Sequence, residues 1–346
     1  MSGSVTDVAA PARPRPNPIP ADASTLPAAL ALVADDLAAA ETRLAQLLHS
    51  DIAVIPEVGG HLAFAGGKRL RPLLTLLCAR AIGLVDPARI TVAAVGELLH
   101  TATLLHDDVI DGGEFRRGRP AARMAFGNGM AVLTGDFCLA RALQAVAGTG
   151  RAAAITSMAD TVMQMAEGEV AQLHAAGDFC LDRARYYDII DRKTAALIAW
   201  CASVGGLAPA PYHEALVQFG RELGYAFQIA DDVLDFADAA ALAVTGKDPG
   251  QDLRDGKMTL PLALACEADA ALSRDVAAAL AKGPPMEETM VEAILRSAAA
   301  SGCGRAAREI AAGHARQALA ALDALPPGAA TDALRAVTEY VVRRTS

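Results

Sequence analysis

Two clusters of aspartates, each embedded in an apolar stretch, constrain this chain more than any other feature of its sequence. The segments LLHDDVID and FQIADDVLDF supply Asp107, Asp108 and Asp111, and Asp231, Asp232 and Asp235. In each cluster the first and third aspartates are four residues apart, so on a helix their carboxylates share one face. Because the flanking residues are typical of a protein core, we expect these carboxylates to line an interior cleft.

Carboxylates that are held together inside a protein need a compensating charge. Two unit charges about 4 Å apart repel each other by on the order of 4 kcal/mol at an effective dielectric constant near 20. Hard divalent cations relieve this repulsion, and Mg²⁺ commonly binds one or two carboxylates and completes its shell with water and substrate phosphates. An acidic stripe on a solvated helix is the alternative for one cluster. Two clusters of near-identical form in apolar surroundings favour a metal site.

The remainder of the sequence is typical of a helical protein. Hydrophobic residues make up 53% of the 346 residues and aromatic residues only 4%, and alanine is the commonest residue, a mixture that suits helices better than strands. No convincing strand pattern appears. We predict helices over 72–83, 90–110, 130–147, 152–174, 185–205 and 214–236, with four more after residue 260 separated near 284–285, 302 and 326–327.

These segments predict an all-α protein. No shift in composition marks an internal boundary, so we expect one domain over residues 23–346. Residues 1–22 are rich in proline and alanine, and we expect them to form a flexible tail.

Charge and cysteine usage exclude several classes of protein. The net charge is −9 without a long basic tract, which argues against a nucleic-acid partner. The six cysteines include no CxxC pair, so neither a zinc site nor a disulfide scaffold is indicated. The N-terminus lacks the apolar core of a signal peptide, and the uncharged stretch 194–212 is interrupted by glycines and prolines, so we predict no transmembrane helix. We expect a soluble, cytoplasmic protein.

Basic residues lie beside both acidic clusters and at one predicted helix start. GGKRLRP contributes Lys68, Arg69 and Arg71 just before a helix, a position that favours an anion. FRRGRP contributes Arg116 and Arg117 after the first cluster, and GKDPGQDLRDGKMTLPL contributes Lys247, Asp252 and Lys257 after the second. Any one of these loops could serve solubility alone. Together they indicate a metal-bridged polyanion such as a diphosphate.

The ordered set of these segments resembles the trans-isoprenyl diphosphate synthases, or polyprenyl synthetases. The matching blocks are GGKRLRP, ELLHTATLLHDDVIDGGEFRRGRP, FGNGMAVLTGDF, GEVAQL, KTAALI, FQIADDVLDF and GKDPGQDLRDGKMTLPL, which together span about residues 25–340. The likeness is greatest to the long-chain octaprenyl, solanesyl and decaprenyl diphosphate synthases. It implies an isoprenoid synthase-type bundle of long antiparallel helices around a central cavity, in a homodimer.

The resemblance also implies residue roles. It makes Asp107, Asp111 and Asp231 direct ligands of Mg²⁺, with Asp235 a supporting ligand, Asp108 and Asp232 left open, and three ions present when allylic diphosphate is bound. The residues that it brings to the allylic diphosphate are Arg116, Lys193, Thr194, Gln228, Lys247 and Lys257, of which Lys193 and Lys247 are also expected to act in catalysis. Those that it brings to isopentenyl diphosphate are Lys68, Arg71, His100 and Arg117. His106 has no such support and is expected to be structural.

The expected reaction is a Mg²⁺-dependent head-to-tail condensation of isopentenyl diphosphate with an allylic diphosphate. Small residues at Ala102 and Thr103, upstream of Asp107, leave room for a growing chain, so we predict a product of about eight to ten isoprene units for a quinone side chain. At most transient membrane contact is expected for product release. The alternatives are a geranylgeranyl diphosphate synthase, a class I terpene cyclase, which does not need the isopentenyl-binding blocks, and a non-catalytic subunit of another synthase.

Overall fold

The structure, a computed structural model, describes residues 26–67, 69–116, 118–236, 250–283 and 286–343. Helices dominate these residues, as the sequence predicted. The predicted flexible tail over residues 1–22 lies outside the described residues.

The N-terminal two thirds of the described chain is a succession of antiparallel helices. Their bounds are α1 Leu26–Leu32, α2 Ala34–Leu48, α3 Val54–Ala63, α4 Leu70–Ala81, α5 Ala88–Ile110, α6 Ala122–Phe126, α7 Asn128–Ala147, α8 Ala152–Ala175, α9 Arg183–Ile190, α10 Ala196–Ala202 and α11 Ala210–Leu234. The predicted central helices are confirmed to within a few residues at each end. A two-residue antiparallel ladder, β1 Phe115–Arg116 with β2 Arg119–Pro120, follows the first acidic cluster and was not predicted.

The C-terminal part contains one more break than the sequence predicted. Its helices are α12 Gln251–Arg254, α13 Leu260–Ala268, α14 Ala270–Lys282, α15 Glu288–Ala300, α16 Cys303–Ala321 and α17 Ala329–Arg343, with a 3₁₀ turn at Leu322–Ala324. The predicted count of four helices after residue 260 is therefore wrong for the described residues, which form five. The unpredicted break is at Asp269, whose backbone is extended and whose side chain accepts hydrogen bonds from the amides of Ala271 and Leu272.

Three glycines allow the central helices to approach closely around α10. A Cβ atom on Gly220 would lie 2.5 Å from the Cα of Ala199, and one on Gly224 would lie 2.6 Å from the Cα of Ala195. On the opposite side, a Cβ on Gly168 of α8 would lie 2.6 Å from the backbone nitrogen of Lys193. The backbones therefore pack against one another without intervening side chains.

The segment between α9 and α10 is a π-helical turn, Asp191–Ala195. A single helix over 185–205 was predicted, so this local widening is a finding of the structure. Gly168 and Gly224 accommodate the wider turn on its two sides. Such turns often occur at functional sites, and this one carries Lys193 and Thr194.

Among the described residues, α5 and α7 are long and apolar enough to cross a membrane by length and composition alone. The core helix of a soluble protein can have the same length and composition. In α5, 61% of the apolar 18-residue stretch is buried inside the protein, whereas in α7 only 39% of the corresponding stretch is buried.

The close approach of α11 to α10 gives a direct test of this packing. Gly220→Val should lower the free energy of unfolding by about 1–3 kcal/mol or more, because its side chain would overlap the backbone of α10. The measurement is urea unfolding followed by circular dichroism.

Gly60→Ala in α3 is the matched control, since a Cβ there meets only the Phe64 side chain, at 3.4 Å. This variant should be neutral or slightly more stable. Equal stability of Gly220→Val and the unsubstituted chain would contradict the packing described here.

Candidate functional site

The first acidic cluster lies at the C-terminal end of α5. Asp107 is half-buried, Asp111 is exposed at the end of the helix, and Asp108 is only 1% exposed. The expectation that all these carboxylates line an interior cleft is therefore wrong for Asp111, which lies at the rim because the helix ends there. Asp108 faces the other way and forms an ion pair with the Nε of Arg116 on the ladder that follows.

Asp107 faces charged groups from three other elements. Burial raises the pKa of Asp107 to about 6, Glu169 of α8 and neighbouring Asp111 act in the same direction, and the cations Lys193 and Arg116 oppose them. Lys193, on the π-helical turn, forms an ion pair with Glu169. The first cluster thus belongs to a mixed group of carboxylates and cations in which negative charge is in excess.

The second acidic cluster lies at the end of α11, where Asp231 is half-buried and Asp232 is buried. The carboxylate of Asp232 accepts hydrogen bonds from the Tyr186 hydroxyl at 2.6 Å and from Gln228 Nε2 at 2.8 Å. Gln228 Oε1 in turn accepts a hydrogen bond from the Thr194 hydroxyl at 2.8 Å. Burial and the nearby Asp252 raise the pKa of Asp232. This chain of bonds ties the second cluster to the π-helical turn.

Asp235 stabilises the start of α12 through hydrogen bonds to its backbone amides. It is 3% exposed, and its two carboxylate oxygens accept hydrogen bonds from the backbone amides of Gln251 at 3.0 Å and Asp252 at 3.2 Å. It therefore caps α12, the short helix that carries Asp252. Its expected role as a supporting metal ligand stays a prediction.

Lys257 connects the two clusters. Its ammonium group lies 2.9 Å from Asp255 and 3.8 Å from Asp252. Burial lowers the pKa of Lys257, but Asp252, Asp111 and Asp255 raise it, and the net shift is upward. Since Asp111 belongs to the first cluster and Asp252 lies beside Asp232 of the second, the two clusters face a common space.

A cavity of about 160 Å³ opens beside this space. Its polar lining includes seven of the residues named above, which are Tyr186, Lys193, Thr194, Gln228, Asp232, Asp252 and Lys257. Apolar residues of α9 and α13, including Ile190 and Leu260, form another part of its wall. The cavity is therefore lined by cations, carboxylates, hydrogen-bond donors and apolar side chains.

The carboxylates suit divalent cations that arrive with a substrate. Within the described residues, no three histidine, cysteine or acidic side chains form a ready-made metal cage. However, Oδ2 of Asp108 and Oε1 of Glu169 are buried, and neither has a hydrogen-bond partner among the described residues. These oxygens leave acceptor capacity unused, although each carboxylate has one cation partner, Arg116 for Asp108 and Lys193 for Glu169. Burial also raises the pKa of Asp107, which indicates that its negative charge is poorly stabilised. Mg²⁺ fits such a site because it takes few protein ligands and completes its shell with water and phosphate oxygens.

The predicted isopentenyl-binding residues are described only in part. Arg71 lies in the first turn of α4, where its Cβ is 3.8 Å from the Cβ position of Gly96, one turn before His100 on α5. Its Nε atom is buried without a hydrogen-bond partner in the part of the chain that the structure describes, so it is available to an anion. Neighbouring Arg69 points elsewhere and donates to Glu97 at 3.0 Å. Lys68, Arg117 and Lys247 lie outside the described residues.

The residues expected to set chain length do not line this cavity. Ala102 is fully buried in an apolar cluster formed by α2, α3, α5, α6, α7, α8 and α10. Thr103 is half-buried, and its hydroxyl donates a hydrogen bond to the carbonyl of His100. The contacts of His106 are consistent with the structural role that we expected for it. Its Nε2 lies 3.2 Å from the carbonyl oxygen of Val132 and 3.3 Å from Asp136.

Sequence reasoning missed Glu169, Tyr186 and Asp255 as individual site residues. Glu169 lies within the GEVAQL block, whose glycine packs against Lys193, so the block itself was the available signal. Asp255 lies in the glycine-rich segment after the second cluster, among the lysines and aspartate that were singled out. Tyr186 lies in no block that the sequence brought to attention, and only its bond to Asp232 reveals it.

The chain is similar to known proteins over most of its length. The sequence profile of the polyprenyl synthetase family matches residues 53–297. Octaprenyl diphosphate synthase of Escherichia coli K12 is 37% identical over 318 residues, which cover 90% of this chain and 97% of that protein. Heptaprenyl diphosphate synthase component 2 of Geobacillus stearothermophilus is 36% identical over 323 residues, which cover 92% of this chain and 99% of that protein.

The fold is also similar to that of a solved structure. The crystal structure of a polyprenyl synthase from Caulobacter crescentus CB15, complexed with calcium and isoprenyl diphosphate, matches with a TM-score of 0.88 at 36% identity and covers 94% of this chain and 100% of that one. The predicted isoprenoid synthase-type helical fold is thereby confirmed.

Two adjacent tyrosines test the bond that holds Asp232. Tyr186→Phe removes a hydrogen bond to a buried carboxylate and should lower the free energy of unfolding by about 2 kcal/mol. Tyr187→Phe is the matched control, because the Tyr187 hydroxyl is hydrogen-bonded to His314 at 2.9 Å, away from the acidic clusters. It should cost about 1 kcal/mol. Urea unfolding of both variants measures the difference, and a smaller loss for Tyr186→Phe than for Tyr187→Phe would contradict the assigned bond.

Proposed function

Since the chain belongs to the polyprenyl synthetase family and is a prenyltransferase, we propose that it condenses isopentenyl diphosphate with an allylic diphosphate primer to make a long-chain all-trans polyprenyl diphosphate. The observation that carries this proposal is that Lys257 is close enough to interact electrostatically with Asp111 of the first cluster and with Asp252 beside the second, while Lys193 interacts with Asp107. A metal-bound diphosphate interacts with both lysines and carboxylates. The lysines bind its oxygens, and the carboxylates bind the metal ions that are associated with it.

We propose Mg²⁺ as the metal, held by Asp107 and Asp111 from the first cluster and Asp231 from the second, with Asp235 in support and three ions in the loaded site. The carboxylates of Glu169 and Asp111 near Asp107 and the unsatisfied oxygen of Glu169 support this choice. Bound Mg²⁺ supplies electrostatic stabilisation of the negative charge that develops on the departing diphosphate.

The residues of the chain have separate tasks in this scheme. Those proposed to hold the allylic diphosphate are Arg116, Lys193, Thr194, Gln228, Lys247 and Lys257, whose hydrogen bonds and charges stabilise the leaving group as the C–O bond breaks. Those proposed to hold isopentenyl diphosphate are Lys68, Arg71, His100 and Arg117. They place its double bond beside the allylic carbon, so that a new C–C bond forms and a proton is lost.

The proton leaves without a dedicated base on the protein in this proposal, and the departing diphosphate accepts it. Apolar surface must exclude water during this step, because water would capture the allylic cation. The apolar residues of α5 upstream of Asp107 are buried in a continuous cluster that also includes α7, α8 and α10, which supports this requirement.

We propose a product of about eight to ten isoprene units, serving as a quinone side chain. The octaprenyl product in the name of the E. coli relative supports this length. A geranylgeranyl diphosphate synthase remains the nearest alternative, and chromatography of the products made from isopentenyl and farnesyl diphosphates separates the two. A non-catalytic subunit is the other alternative, suggested by the component name of the Geobacillus relative. Activity of the purified chain alone would exclude it.

We also propose that residues 23–346 act as one domain in a cytoplasmic homodimer that touches membranes at most transiently. Exposed apolar side chains on two adjacent helices support the dimer. Those on α7 are Met130, Leu133 and Leu143, and those on α8 are Met163, Val170 and Leu173. A surface of this kind marks an interface more often than a solvated face.

The metal assignment predicts that Asp107→Ala or Asp231→Ala lowers prenyl transfer by roughly 10²–10³-fold or more, because charge on the leaving diphosphate loses its compensation. Incorporation of labelled isopentenyl diphosphate with Mg²⁺ measures the loss. Asp160→Ala is the control, since Asp160 is an exposed carboxylate of α8 outside the site. Near-normal turnover of either test variant, with its helical spectrum intact, would reject the assignment.

The chain-length assignment predicts that Ala102→Phe shortens the product by blocking the path along α5. Ala102 is fully buried, so overpacking could also destabilise this variant by about 1–3 kcal/mol. Thr103→Phe, at a half-buried position, is therefore the companion variant. Reverse-phase chromatography of the dephosphorylated products reads out the length. An unchanged product distribution in a folded Thr103→Phe variant would contradict this route.

The dimer proposal predicts that Leu133→Glu combined with Val170→Glu produces monomers. These side chains are 62% and 66% exposed in the single chain, and burying two carboxylates in an apolar interface is unfavourable. Sedimentation velocity measures the change. Val85→Glu, a change of the same kind at an exposed loop residue beside the opposite ends of α7 and α8 from Leu133 and Val170, should remain dimeric. A dimer that survives the double substitution would place the interface elsewhere.

A further inference from the structure

A second cavity, of about 600 Å³, lies at the end of the bundle where α7 ends and α5 and α8 begin. Its polar lining includes Arg43, Asp86, Thr91, Arg141, Thr149 and Arg151. None of these residues belongs to the site described above. Asp107 lies nineteen residues along α5 from Ala88, so the two sites are about 28 Å apart along that helix.

This cavity is basic in a chain whose net charge is −9. It has three guanidinium groups against one carboxylate, that of Asp86. Asp86 is already engaged, because it accepts a hydrogen bond from the amide of Ala88 at 3.0 Å and forms an ion pair with Arg151 at 2.5 Å. The charges of Arg43 and Arg141 are left without a carboxylate partner in the cavity lining.

The arginines are arranged to receive an anion. Arg141 donates to the carbonyl of His49 and to Gln144, both at 2.8 Å, and its Nε is buried with no partner in the described part of the chain. Arg43 contacts the neutral Gln46 side chain at 3.3 Å. The N-terminal turns of α5 and α8, each longer than twenty residues, open at the same place and add positive potential.

Two exposed aliphatic residues lie close along the chain to groups that line or contact the basic cavity. Val85 precedes Asp86 in the chain and is 82% exposed, and Ile52, three residues after His49, is 62% exposed. Asp51, which is exposed next to Ile52, carries a negative charge that would oppose binding to an anionic surface. A free phosphate ion would gain nothing from exposed aliphatic side chains, whereas a membrane surface presents both phosphate groups and apolar chains.

We propose that this end of the bundle, defined by Arg43, Arg141, Arg151, Ile52 and Val85, docks on membranes that contain anionic phospholipid. A lipid phosphate enters the basic cavity while Ile52 and Val85 contact the acyl region near the headgroups. The remaining acidic surface is repelled by the same membrane, so the attraction also fixes the orientation of the protein. This proposal goes beyond the prenyl transfer proposed above, and vesicle binding tests it without any catalysis.

The test is co-sedimentation of the full chain with vesicles of phosphatidylcholine containing 30% phosphatidylglycerol, compared with pure phosphatidylcholine. We expect binding to the anionic vesicles alone, weakened by 0.5 M salt. Arg43→Glu should weaken it on the order of tenfold, since each basic residue near an anionic surface contributes measurably. Ile52→Ser with Val85→Ser should also weaken it. Arg296→Glu, an equal charge reversal at an exposed position on α15, is the control and should bind as the unsubstituted chain does.

Three results would overturn the proposal. One is equal binding to both kinds of vesicle, and another is an Arg43→Glu variant that binds as well as Arg296→Glu. The third is stabilisation by millimolar inorganic phosphate, lost in Arg43→Glu, without any vesicle binding, which would indicate a site for a free anion. Thermal unfolding by circular dichroism verifies that each variant is folded, and the Ile52→Ser with Val85→Ser variant supplies an independent reading if Arg43→Glu is unstable.

Discussion

Electrostatic repulsion between carboxylates at the ends of two helices is the constraint on which the rest of this structure depends. Asp107 on α5 and Asp231 and Asp232 on α11 occupy surroundings that are apolar enough for burial to raise the pKa of Asp107 to about 6. Lys193 and Lys257 compensate only part of the negative charge of these carboxylates. We propose that cations shared with a phosphorylated substrate neutralise the remaining negative charge, and any ligand that binds only the folded state stabilises it.

The packing of the central helices follows from the same need. Lys193 and Thr194 reach the site from a π-helical turn. Lys193 pairs with Glu169 beside the first cluster, and Thr194 donates to Gln228 beside the second. A wider turn fits only where its neighbours lack side chains, and Gly168 and Gly224 provide that space. Small residues at helix contacts therefore serve the geometry of the site as well as the density of the core.

Much of this was predictable because helical periodicity and the two aspartate clusters are strong local signals. The bounds of α5 and α11 followed from apolar spacing, and the cationic residues near the clusters followed from their motifs. Other features depend on three-dimensional contacts that sequence spacing does not reveal. The Asp269 break arises from one side chain that caps a helix, and the bond from Tyr186 to Asp232 joins residues 46 positions apart. Asp235 belongs to the same class, since its partners are backbone amides of a later segment.

The most direct measurement is a crystal structure of the chain with Mn²⁺ and a non-hydrolysable allylic diphosphate analogue, in which anomalous scattering locates the ions. The account predicts manganese between the ends of α5 and α11, bound by Asp107, Asp111 and Asp231 and by diphosphate oxygens, with Lys193 and Lys257 on the same diphosphate. Ions or diphosphate bound elsewhere, with the two clusters empty at saturating ligand, would contradict it.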